Sequence, residues 1–165
     1  MLIVVQNIIS FILLVLVQVL ALNNIQFLGY INPYIYILFI LSLPVRLPQW
    51  VTLLLGFLLG ITIDAFSNTM GTHAFATVLI AFLRNGIIKL FTSIEEGNNP
   101  VPSFYTFGVG AYVKYVILMT LVHHTTLFFL EAFSFSLFWV VFFKVILSSI
   151  VTILIILGIR SFYRK

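Results

Sequence analysis

Long apolar runs follow one another along this chain with hardly a charge between them, as in Phe11–Val17 and Val78–Leu83. Only 7% of its 165 residues are charged, against about a quarter in soluble domains. With 62% apolar residues and a mean hydropathy of +1.24, it has too few polar groups to build a water-facing surface. A soluble globular fold and intrinsic disorder are both excluded. A transmembrane barrel would need strands of about ten residues alternating apolar and polar, and these runs are continuous, so helices are expected. A helix crosses about 30 Å of hydrocarbon with roughly 20 residues. The chain therefore reads as a single all-α membrane domain, 1–165, of about six spans.

The spans are expected at roughly Leu2–Leu22, Ile25–Leu43, Trp50–Phe66, Thr72–Phe91, Phe104–Phe129 and Phe135–Ile159. The amino-terminal stretch has no basic n-region and no convincing cleavage site, so it counts as the first span and not as a signal peptide. Pro33 follows Asn32 inside the second span, which begins or kinks there. Pro44-Val-Arg46-Leu-Pro48 is a clear turn, and Glu95–Pro102 is the most loop-like stretch. The connection near Glu131 is very short, so the last two spans form an antiparallel hairpin.

The net charge of +4 comes from dispersed Lys and Arg, with no basic run interleaved with aromatics. It signals topology and not nucleic-acid binding. With the amino terminus inside, Arg46, Arg84, Lys89, Arg160, Arg164 and Lys165 all fall on the inner side. The outer connections carry Asp64 and Glu131 and no Lys or Arg. The positive-inside rule thus places both termini in the cytoplasm. The six basic residues would meet anionic headgroups. Absence of cysteine excludes disulfides, thiol catalysis and thiolate metal sites.

Thr52, Gly56, Gly60 and Asp64 recur every four residues and line one face of the third span. Gly56-Phe-Leu-Leu-Gly60 lets two helix backbones approach closely. That face is expected to pack against another span of the chain or, in the sharper alternative, to dock a partner's helix. Asp64, costly near the membrane boundary unless paired or bonded, is expected to organise the next turn through Ser67, Asn68, Thr69 or the N–H groups opening the fourth span. His73, His123 and His124 lie toward the same side as Asp64 and Glu131. Their spacing matches no metal or catalytic motif, so neither a metal, a cofactor nor a catalytic residue is expected. Lys144, with Ser148 and Thr152 at successive i+4 steps, faces the bundle interior and pairs with Asp64 or Glu131. Lys114 snorkels toward the cytoplasmic interface.

The stretch Leu53-Leu-Leu-Gly56-Phe-Leu-Leu-Gly60-Ile-Thr-Ile-Asp64-Ala-Phe-Ser67-Asn-Thr-Met-Gly71-Thr-His73-Ala74 resembles the signature of the MreD family, the rod-shape-determining membrane proteins of bacteria. Gly60, Asp64, Ser67, Gly71, His73 and Ala74 match in order, and Phe75 stands where Leu is often found. The local match covers Leu53 to Ala74 only. The resemblance implies a non-enzymatic inner-membrane subunit of the cell-elongation machinery. Its implied partners are the bitopic scaffold MreC, the peptidoglycan polymerase and transpeptidase of elongation, and indirectly the actin-like MreB. The implied fold is that of the substrate-binding subunits of energy-coupling-factor transporters. The alternative is a small-ligand-binding subunit of such a transporter; a small membrane enzyme using Asp64, His73 and Glu131 ranks last.

Overall fold

The structure is a computed structural model and describes residues 2–24, 31–93, 99–133 and 138–162. It is all-α. Among the described residues five helices are long and apolar enough to cross a membrane: α1 (Leu2–Leu20), α3 (Gln49–Ser67), α4 (Thr72–Phe91), α6 (Val109–Ala132) and α7 (Phe138–Phe162). Among the described residues there are also two shorter α-helices, α2 (Leu38–Leu41) and α5 (Phe104–Phe107).

Helices α3, α4, α6 and α7 pack side by side in that order, while α1 leans on α3 and on the segment around α2. The distribution of side chains inverts that of a soluble protein. Leu13, Leu20, Phe57, Phe82, Phe143 and Leu154 point outward, whereas Gln18, Thr52, Asp64, His123, Ser148 and Thr152 are buried. Such a surface suits hydrocarbon, and its polar groups find partners inside.

Helix α4 covers the expected range. Phe104–Phe129, expected as one span, breaks at Gly108, where φ is +78°. The short helix before the break is closed by a reciprocal cap: Ser103 Oγ accepts from Thr106 N, and Thr106 Oγ1 accepts from Ser103 N.

The second expected span, Ile25–Leu43, departs furthest. Residues 25–30 lie outside the described residues. Over residues 31–43 the chain is helical only in a 3₁₀ turn, Ile35–Ile37, and in α2. Pro33 has no N–H and disfavours helix at Asn32, so the chain enters extended. Residues 33–41 are nevertheless buried. Neighbouring side chains supply the bonds a helix would have made. Asn32 N donates to Ser148 Oγ and Tyr34 N to Thr152 Oγ1, both at 3.1 Å. Ile35 N donates to Gln18 Oε1 at 3.0 Å, and Gln18 Nε2 donates back to Pro33 O at 3.1 Å. Unwound backbone at membrane depth is tolerated where protein surrounds it. The segment runs parallel to α7, from Ser148 beside Asn32 to Arg160 beside Ser42.

Candidate functional site

The corner between α3 and α4 is built by Asp64. Asn68, in the left-handed region at φ 55°, ends α3, and Gly71 at φ +83° precedes α4. Asn and Gly are the residues that tolerate such backbone. The Asp64 side chain, 2% exposed, then reaches across the turn. Its Oδ1 accepts from the Thr69 hydroxyl and from His73 N at 3.1 Å, and its Oδ2 accepts from Ala74 N at 2.8 Å. A carboxylate thereby occupies the anion-favouring start of α4 and satisfies N–H groups left open there. Ser67 stands apart from this set, and its Oγ accepts from Asn23 Nδ2 at 3.0 Å.

Below the corner the small residues of α3 admit α4. A Cβ on Gly60 would lie 2.3 Å from Ala74 Cα, and one on Gly56 3.0 Å from Ala81 Cβ. Thr77 Oγ1 lies 2.8 Å from the Gly56 carbonyl and 2.7 Å from that of His73. The face carrying Thr52, Gly56, Gly60 and Asp64 is therefore covered by the chain's own α4. Of the two readings of that face, internal packing against another span is the one the structure gives, and the partner-docking alternative is corrected.

Beside the corner opens a mostly polar chamber of about 380 Å³, walled by Asn23, Asn24, Asn32, Tyr34, Ser67, Thr69, His73, Glu131 and Lys144, with Val19 and Phe66. Lys144 Nζ lies 3.9 Å from Glu131 Oε2 and 4.6 Å from the Phe128 ring centroid. Of the two partners expected for Lys144, the structure gives Glu131. The other carboxylate oxygen lies 3.9 Å from His73 Nε2. Both contacts exceed direct hydrogen-bond length and suit bridging water.

His73 connects this chamber to a buried polar string. Tyr36 Oη lies 2.8 Å from His73 Nδ1 and 2.8 Å from His123 Nε2. With one proton, the phenol donates to one ring and accepts N–H from the other. His124 Nδ1 faces Thr120 O at 3.0 Å and so carries a proton, leaving Nε2 to accept from Thr152 Oγ1 at 3.1 Å. The Thr152 oxygen is then free to accept the Tyr34 N–H, which ties this second set of bonds to the unwound segment; His123 and His124 meet ring against ring, with centroids 5.4 Å apart. Among the described residues no group of three His, Asp or Glu is arranged to hold a metal.

Sequence reasoning singled out Lys144, Ser148 and Thr152 as a ladder but missed what they serve. Gln18, Tyr34 and Tyr36 were missed as site residues. Their signal was Asn32-Pro33 inside an apolar run, which announced free backbone N–H groups and hence a need for buried acceptors.

The basic residues divide at the opposite end. Arg46, Lys89 and Lys114 are exposed. Arg84 was expected at the headgroups, and this is corrected: it is 0% exposed, and its guanidinium donates to the carbonyls of Leu43 and Pro44. Those carbonyls follow α2, where no further helical turn exists to accept from. Arg160 is half-buried and donates to Ser42 Oγ. Arg164 and Lys165 lie outside the described residues. No family model, curated protein or solved structure matches the chain.

Proposed function

We propose that this chain is a non-enzymatic scaffold subunit of the bacterial cell-elongation complex, of the MreD type, that binds MreC and helps organise peptidoglycan synthesis. The observation that carries the reading is the α3–α4 corner. The six residues through which the sequence resembles that family cluster there: Gly60, Asp64, Gly71, His73 and Ala74 build the turn and its cap, and Ser67 ties it to Asn23. Six crossings, with both termini in the cytoplasm, fit the charge asymmetry. They also fit the path of residues 31–43, which run beside α7 from Ser148 toward Arg160. A fold like that of energy-coupling-factor substrate-binding subunits is part of the same proposal. With the Thr52–Asp64 face occupied by α4, MreC is assigned to the outward faces of the bundle and to its loops. Replacing the gene in a rod-shaped bacterium with an Asp64→Ala version should give rounded cells and reduced protein; normal shape at normal abundance would reject the reading.

The polar chamber favours a second reading, a small-ligand-binding subunit of an energy-coupling-factor transporter. It predicts saturable binding of a small polar molecule by the purified protein and recovery with a T-type coupling subunit and ATPases. Neighbouring genes separate the two: cell-wall genes favour the scaffold, transporter ATPase genes the ligand-binding subunit.

A further inference from the structure

At the Arg160 end, α1 and α7 are held apart by the segment around α2, leaving a groove of about 190 Å³ between them. Leu13, Leu38 and Ile159 give it apolar walls, and Ser10, Ser42 and Arg160 supply polar groups. The Arg160 guanidinium has five N–H groups; one nitrogen donates to Ser42 Oγ, the neutral Tyr112 phenol stands beside the group on its buried side, and the remaining N–H groups meet no carboxylate among the described residues. The two carboxylates among the described residues, Asp64 and Glu131, both lie at the opposite end. Arg84, which shares this end, is itself cationic and spent on backbone carbonyls. A half-buried cation beside an apolar groove, with no described counter-ion, calls for an anion that brings its own hydrocarbon.

We propose that this groove is a specific site for one anionic glycerophospholipid, its phosphodiester held by Arg160 and the serine hydroxyls and one acyl chain lying along Leu13, Leu38 and Ile159. Guanidinium forks match phosphate oxygens in a way that ammonium groups do not. Basic pockets between membrane helices bind acidic headgroups by the same logic. The inference is independent of the scaffold reading, because it needs only the groove and its charge.

The test is native mass spectrometry of the full chain, purified in mild detergent, washed free of lipid and offered phosphatidylglycerol or phosphatidylcholine of matched chains. One phosphatidylglycerol per protein should survive activation that strips phosphatidylcholine. R160Q should lower its occupancy about fivefold. L13W, at a position 55% exposed, should lower it comparably by filling the groove without altering charge. K89Q/K114Q, which removes two exposed cations of the same end, should leave it unchanged, and excess inorganic phosphate should not displace the lipid. Circular dichroism checks that each variant is folded, and L13W decides alone if R160Q is not. Equal retention of the two lipids, wild-type occupancy in L13W, loss in K89Q/K114Q, or displacement by inorganic phosphate would overturn the proposal.

Discussion

Two stretches of this bundle satisfy their backbone by opposite means. The α3–α4 hairpin is regular: each helix makes its own backbone bonds, Gly56 and Gly60 bring the two axes together, and at the corner the open N–H groups are met by one side chain, Asp64. The stretch 31–43 is irregular, and its backbone borrows bonds from Gln18, Ser148, Thr152, Arg84 and Tyr115. The hairpin is thus specified by residues within itself, and the irregular stretch by residues far away in sequence. Damage to the first should be local and steric. Damage to the second should arise at many distant positions, each smaller than the loss at Gly60 or Asp64.

The largest effect is expected from Gly60→Ala. Its new methyl would meet the Ala74 backbone, which cannot move without parting the hairpin, so a loss of about 3 kcal/mol or more is expected. In practice the detergent-solubilised protein should lose its monodisperse peak. A normal peak and melting temperature would mean that α3 and α4 are further apart than described.

Asp64→Ala comes next, at about 3 kcal/mol, since it strands two N–H groups at the start of α4 and the Thr69 hydroxyl. Asp64→Asn keeps an acceptor oxygen and should recover about half of that, read as thermal stability in detergent. If Asn is as damaging as Ala, charge and not bond count governs the corner.

For the irregular stretch, Gln18→Leu should cost about 2 kcal/mol by leaving Ile35 N and Pro33 O unpaired inside the bundle. Thr152→Val, which withdraws a hydroxyl from both Tyr34 N and His124, should cost about as much, and Ser148→Ala about 1 kcal/mol. Combining Thr152→Val with Gln18→Leu should give less than the sum, because both release the same segment. Strict additivity in melting experiments would show that the bonds act independently. The smallest effect is expected from Gly56→Ala, about 1 kcal/mol, because its methyl only presses on the Ala81 side chain and the Thr77 carbonyl.

The same contrast explains what could be read from the sequence. Apolar runs and the turn residues Asn68 and Gly71 marked α3 and α4 closely, and a lone carboxylate beside Thr69 pointed to a cap. Five of the long apolar stretches became long helices for that reason. The second did not, because hydrophobicity measures burial in an apolar medium and is silent on whether the buried backbone is helical. Arg84 was misread for a related reason: the span boundaries put it near the inner end of the fourth span, while its use depended on where the carbonyls of Leu43 and Pro44 end up. The chamber drew residues from five separate stretches of chain, and only His73, Glu131 and Lys144 among them carried titratable groups conspicuous enough to be placed near one another beforehand.

The most direct test of the proposed role is affinity purification of the tagged chain from native membranes in a gentle detergent, with mass spectrometry of the proteins that accompany it. The scaffold account predicts recovery of MreC with the elongation polymerase and transpeptidase. Recovery of a T-type coupling subunit with its ATPases, and no MreC, would contradict it.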